Sequence, residues 1–272
     1  MLTAEQLQTI LPGISATRKG ECLPCLQAAM EEFAIDKPGR AAAFIAQLAH
    51  ESGTFRYLEE IWGPTAAQLR YEPPGTLATK LGNTEAGDGK CFKGRGPIQI
   101  TGRANYRRFG DLLGTDLVSD PARAAVPDLA FRIAGLFWSK KGLNELADQP
   151  GVESFREITR RINGGFNGLE ERQKFYAAAC AVLGVTVTRG TRGVARRPKM
   201  EDEPAFDRGA EAIRAQSRRR RARTTTPSSK KKRRSAGTTT SPLTKKKRRR
   251  AVTTTSRSKT TKRKRAVRRK TR

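Results

Sequence analysis

The distribution of charge constrains this chain more than any motif does. Over residues 1–186 basic and acidic side chains nearly balance, 22 against 21, whereas residues 187–272 carry 33 basic and 5 acidic ones. The net charge of +29 thus sits almost wholly in the last third, and from Ala212 onward there is no acidic residue at all. A segment so repulsive and so poor in apolar side chains cannot bury enough surface to offset its conformational entropy. Folding is confined to the first part, which is long enough to enclose a core. The expected organisation is a globular domain over 1–186, a linker over 187–217 with a short helix near Pro204 to Ile213, and a disordered Lys/Arg/Thr-rich basic tail over 218–272.

Several classes are set aside by composition. No apolar run approaches the roughly 20 residues of a membrane span. The N-terminus MLTAEQLQTILPG lacks the basic and apolar regions of a secretory signal, which predicts synthesis in a cytoplasm. Cys22, Cys25, Cys91 and Cys180 fit that compartment as reduced thiols. Cys22 and Cys25 form a C-x-x-C, but no second pair completes a zinc site and His50 is the only histidine, so neither metal nor cofactor is expected.

Within the domain, helical periodicity dominates. Thr3 caps a short helix over 3–11 that Pro12 and Gly13 stop, and a second helix is expected over 22–33. Residues 59–91 hold Gly63-Pro64, Pro73-Pro74-Gly75 and several further glycines, which predicts loops with one helix near 65–70. In KGRGPIQITGR, residues 93–103, Ile98 and Ile100 alternate with Gln99 and Thr101; a short extended segment would point the two polar residues to one face. Helices follow over 105–113, 129–140, 153–162 and 170–183, the last two ending at Asn163-Gly164-Gly165 and Gly184.

The stretch RAAAFIAQLAHESG, residues 40–53, ends an apolar helical face in a carboxylic acid. Phe44, Leu48 and Glu51 share a face, and Gly53 stops the helix just beyond. A carboxyl at that place loses hydration and holds its proton more tightly, which suits a general acid. An ordinary boundary glutamate would have the same surroundings. Glycosidic hydrolysis with inversion needs a second carboxylate about 6.5–9.5 Å away, leaving room for a water. Glu60 or Glu59, past the glycine, is suitably placed, although either residue alone also reads as a solvated surface glutamate. Gln99, Thr101, Asn105 and Asn163 offer neutral hydrogen bonds to a sugar or a water, and turns and caps use the same residue types.

The combination of HESG at 50–53, KGRGPIQITGRANY at 93–106 and INGGFNGLEERQKFY at 162–176 resembles glycoside hydrolase family 19, most of all its compact phage and prophage endolysins, over about residues 3–185. The resemblance implies a mainly α, lysozyme-like, two-lobed domain and an inverting mechanism. It places the general acid on Glu51, the base on Glu60, and a water-positioning hydroxyl on Thr101. Gln99 and Asn105 are implied as sugar or water ligands and Asn163 as a substrate ligand. Arg172 is implied to hold the base carboxylate ionised, and His50 to act as scaffolding. The loops of the plant chitinases are largely missing, and with them the outer sugar subsites. The substrate expected is peptidoglycan, with chitin, the other β-1,4 polymer of N-acetylated sugars, as the alternative. A family endolysin without a signal reaches the wall after release through a holin pore.

The tail repeats at about fifteen residues: triple threonines at 224, 238 and 253 are each followed by a basic cluster, as at Lys230 and Lys245. Such a segment binds polyanions by counterion release, whether anionic envelope polymers or nucleic acid. No aromatic residue interrupts it, so base stacking has no support. A non-catalytic glycan-binding or nucleic-acid-binding protein is the reading from another class, and nothing in the sequence calls for more than a monomer.

Overall fold

A computed structural model describes residues 1–188, and the linker and tail expectations lie outside the described residues. The described chain is mainly helical, in the order α1 (Ala4–Ile10), α2 (Ala16–Glu32), α3 (Pro38–Ser52), α4 (Ala66–Leu69), α5 (Thr76–Leu81), α6 (Asp88–Cys91), α7 (Arg103–Leu113), α8 (Pro127–Lys140), α9 (Leu143–Ala147), α10 (Val152–Asn163) and α11 (Leu169–Leu183), with a 3-10 turn at Pro121–Ala125.

Helix α3 is the centre of the larger core. The expectation of one apolar face is too modest: Ala41 through Ala49 are all buried, because α3 packs against α11 on one side and α9 on another. A run rich in alanine allows those close approaches. Trp138 of α8 meets Phe44 of α3 edge-on at 5.2 Å, and Phe155 of α10 stacks on Tyr176 of α11 at 4.1 Å. Each such buried ring contributes on the order of 3 kcal/mol. A smaller cluster of Tyr71, Leu77 and Leu81, with Trp62 against it, forms a second apolar centre among the short helices.

Three local readings are corrected. Helix α2 begins at Ala16, six residues earlier than expected, because Ser15 accepts the Arg18 N–H and so supplies the cap. Pro24 lies inside it, at the cost of one backbone hydrogen bond. The 59–91 segment holds three short helices in place of one, α5 and α6 being pinned by side chains distant in sequence: the Asn83 amide donates to Tyr71 O at 2.9 Å, and Glu72 accepts the Gly87 and Lys90 N–H groups. Residues 93–103 do not run extended. Arg95 and Ile100 pair with each other across a tight turn, and Gln99 adopts a φ of 60°. The described chain continues past Gly184 to Thr188, whose N–H donates to Pro150 O at 3.0 Å.

Candidate active site

Pro38 opens α3 and Gly53, at φ 61°, closes it, so the chain turns away just after Glu51. Glu51 is 4% exposed. Its surroundings are not purely apolar as expected, because Arg172 of α11, wholly buried, donates through Nη2 to Glu51 Oε1. The same guanidinium donates through Nη1 to Gln47 and through Nε to Asn167 O, and the Gln47 amide donates to Thr159 of α10 at 2.8 Å. Burying a guanidinium and a carboxylate together costs several kcal/mol in desolvation, offset only by good geometry and further hydrogen bonds, which these partners supply. Arg172 therefore does not steady the base, as the resemblance implied, and has no surface to offer a sugar. It stands in the first turn of α11, and the packing of α11 on α3 aims it at the end of α3. Beside it, His50 Nδ1 lies 3.0 Å from Glu171 Oε2. Gly168, the N-cap of α11, passes directly under the His50 ring.

After Gly53 the backbone stays left-handed for two more residues, Thr54 at φ 62° and Phe55 at φ 61°. Such conformations cost on the order of 1–3 kcal/mol each and persist only where packing holds them. The hold is visible: the Phe55 ring is fully buried against Phe131 at 5.3 Å, and the Phe55 N–H donates to Ser52 Oγ at 2.9 Å. This sharp reversal carries the chain to Glu60.

Glu59 and Glu60 differ entirely. The Glu59 carboxylate is 45% exposed and is held by Arg95 at 2.9 Å and Lys93 at 3.3 Å. Glu60 is 1% exposed; its Oε1 accepts from the Gln68 amide and its Oε2 from the Gly94 N–H, both at 3.0 Å. Burial pushes the Glu60 carboxyl above the usual glutamate range, while the Gly94 N–H, the Gln68 amide and the Lys93 charge pull the other way. Gln68 and Gly94 went unread in the sequence. The signal for Gln68 was present in Thr65-x-x-Gln68, a capping box that the structure forms.

The turn at 93–105 supplies the remaining groups. Arg95 donates to Glu59, to Cys91 O and to the Tyr106 hydroxyl, fixing the turn from below. The positive φ of Gln99 turns its side chain back so that Nε2 donates to Gly96 O at 2.7 Å, leaving the buried Oε1 without a partner among the described residues. A side chain on Gly94 would collide with that Oε1 and stand 3.4 Å from Glu60 Oε2, so both oxygens border the space over Gly94. Thr101 Oγ1 donates to Gln99 O at 3.1 Å, and the Asn105 amide donates to Thr101 O at 2.8 Å. At the end of α10, the Asn163 amide donates to Asn167 O, the atom that also accepts from Arg172, and Asn163 Oδ1 is buried without a partner among the described residues. The sequence-predicted residues thus gather in two clusters joined by residues 53–60: Glu51, Arg172 and Asn163 in one, Glu60, Gln99, Thr101 and Asn105 in the other.

Among the described residues no group of three or more His, Cys, Asp or Glu side chains is placed to hold a metal, and no helix is long and apolar enough to cross a membrane. The four cysteines are free. Burial pushes the Cys22 thiol up to about 11, so the C-x-x-C offers no ready thiolate.

Comparison with known proteins bears on the family and the fold. The family model described as chitinase class I matches residues 18–151. An endochitinase of Arabidopsis thaliana is 41% identical over 170 residues, covering 58% of this chain and 55% of that protein. A glycosyl hydrolase family 19 domain-containing protein of Haemophilus influenzae is 36% identical over 160 residues, covering 50% of this chain and 76% of that protein. The chain spans about half the length of the plant relatives it matches. Among solved structures, chitinase C of Streptomyces griseus superposes with a TM-score of 0.53 at 23% identity, over 68% of this chain and 77% of that one. A bacterial family 19 chitinase does so with a TM-score of 0.53 at 21% identity, over 70% and 98%. These superpositions establish the lysozyme-like, mainly α fold. With the identity to the Haemophilus protein over three quarters of its length, they lead to the conclusion that this chain belongs to glycoside hydrolase family 19.

Proposed function

We propose that the domain is an inverting glycosidase that cuts β-1,4 bonds between N-acetylated sugars in peptidoglycan glycan strands. The observation that carries this reading is the pair of buried carboxyls, Glu51 and Glu60, each in its own hydrogen-bonded cluster on either side of the reversal at 53–60. Glu51 donates its proton to the leaving oxygen. The Arg172 guanidinium, hydrogen-bonded to Glu51, is placed to stabilise the carboxylate left after donation. Glu60 takes a proton from the attacking water. Its two acceptor bonds from Gln68 and Gly94 fix the carboxylate, and the unpartnered Oε1 of Gln99, over Gly94, is an acceptor for that water, with Thr101 holding the Gln99 backbone in place. Asn105 braces Thr101, and Asn163 Oδ1 is an acceptor for a sugar N–H or O–H.

Chitin is the second reading, because plant relatives that match the domain carry the name endochitinase. The basic tail over 218–272, which has no acidic residue, is assigned to anionic polymers, wall-borne ones ahead of nucleic acid, and the protein to action at the wall as a monomer.

The test is mass spectrometry of products released by the full chain from purified peptidoglycan and, separately, from colloidal chitin, with Glu51→Gln as control. Disaccharide products ending in reducing muramic or glucosamine residues from peptidoglycan are expected. In Glu51→Gln, turnover should fall at least about 10²-fold while glycan binding persists. Chitin oligomers alone would establish the second reading, and full activity in the variant would remove Glu51 from the acid role.

A further inference from the structure

One basic side chain beside the glycan site is left without adequate acceptors. Arg156 lies on α10 seven residues before Asn163, two helical turns and so about 10 Å away on the same face. Its guanidinium carbon sits 5.1 Å over the ring of Phe166, in the loop that follows Asn163. Phe166 is 47% exposed, an aromatic ring kept at the surface although the core takes most of the others. Among the described residues Arg156 has Glu153 as its one hydrogen-bonding partner, through Nη1 at 3.3 Å to both oxygens, with the two side chains 41% and 54% exposed. Its Nε is buried with no acceptor. Such a long, solvated pair contributes little, and stacking on the ring is what fixes the guanidinium. The result is an oriented cation with unused donors, on the helix face that ends in the unpartnered Oδ1 of Asn163.

A glycan strand lying along Asn163 extends its next units toward one end of α10 or the other. Chitin carries no charged substituent, so a preset guanidinium gains nothing from it. A muramic unit carries a lactyl group ending in a carboxylate when its peptide is absent, and a planar guanidinium fork oriented by stacking matches a carboxylate. We infer that Arg156, stacked on Phe166, is a specificity-determining residue that binds an acidic substituent of the glycan, the lactyl carboxylate of peptide-free peptidoglycan strands. The inference rests on the glycosidase reading above and names the substrate class of that same site.

The experiment compares kcat/KM of the full chain on peptide-free glycan strands with that on the same strands whose lactyl carboxylates have been reduced to alcohols. A preference of about five- to tenfold for the carboxylated strands is expected, the range between an exposed ion pair and a charge-assisted hydrogen bond. Arg156→Gln should lower that ratio by about that factor relative to the wild type, and Arg156→Lys, which keeps the charge without the fork, should leave it in between. The tail is the same in all three proteins, so its attraction to anionic strands cancels from the comparison. A ratio that survives in Arg156→Gln overturns the assignment, as does a wild-type ratio of one. If the wild type cuts neither strand, the glycosidase reading fails separately. Fluorescence anisotropy of the two labelled strands then decides: a binding preference lost in Arg156→Gln sustains the carboxylate site, and equal binding overturns it.

Discussion

Replacing Gly168 by alanine tests whether the approach of α11 to His50 organises the acid. Gly168 and Gly184 cap the two ends of the same helix with the same φ of 69°, and they differ in what surrounds them. Among the described residues nothing lies within 4 Å of a Cβ on Gly184, whereas a Cβ on Gly168 would collide with Cε1 and Nε2 of His50 and come within 3.2 Å of Nδ1. Gly184→Ala therefore measures backbone strain alone, about 1–2 kcal/mol. Gly168→Ala adds the displacement of a buried ring, which at the usual penalty for overpacking brings its total to about 2–5 kcal/mol. The ring that must move precedes Glu51 and touches Glu171, next to Arg172. A shift of the order of 1 Å there should lower kcat about 10²-fold. Urea denaturation of both variants, compared at equal m-values, gives the stability difference, and turnover of glycan strands gives the second reading. If Gly168→Ala is no less stable than Gly184→Ala and keeps wild-type turnover, the argument that this contact sets the acid is wrong.

Two further outcomes follow from the charges. Because burial raises the Glu60 carboxyl and the Gln68 amide opposes that more strongly than Lys93 does, Gln68→Met should move the acidic limb of the pH–rate profile to higher pH, and Lys93→Met should move it less in the same direction; a shift to lower pH in either would contradict the proposed base. Asp148, held by Arg40 and Lys37 at the start of α3, has its carboxyl lowered to about 2, so it contributes stability above the ordinary aspartate range that is lost as pH falls toward 2. Asp148→Asn should accordingly be less stable than the wild type at pH 6, with the two curves converging by about pH 2; a constant gap across that range would mean that charge is not the cause.

What was legible in the sequence was whatever depends on near neighbours. The capping threonine at residue 3, the glycine stop after Ser52, the apolar spacing of α3, α8 and α10 and the three short motifs are local patterns, and the helices formed within a few residues of where those patterns ended. The choice between Glu59 and Glu60 was not legible, since adjacent glutamates in a loop carry no signal of which one turns inward. Burial tells them apart, through the Gly94 N–H and the Gln68 amide, 34 and 8 residues from Glu60 in the chain.

Arg172 marks the same boundary from the other side. A motif identified the residue and misassigned its partner, because a guanidinium's reach is short and the helix packing that aims it at Glu51, 121 residues earlier, has no counterpart in local spacing. The alternation at 98–101 misled for a related reason: period two signals a strand only when a neighbouring strand is available, and here the chain pairs back on itself between Arg95 and Ile100. The sequence by itself determined which segments of residues 1–188 become helices, that the basic charge is concentrated beyond residue 186, and which side chains are able to move protons. Only the tertiary structure decided which of those side chains lose their water and meet, because desolvation and hydrogen-bond partnership are properties of packed surfaces that residues far apart in the chain build together.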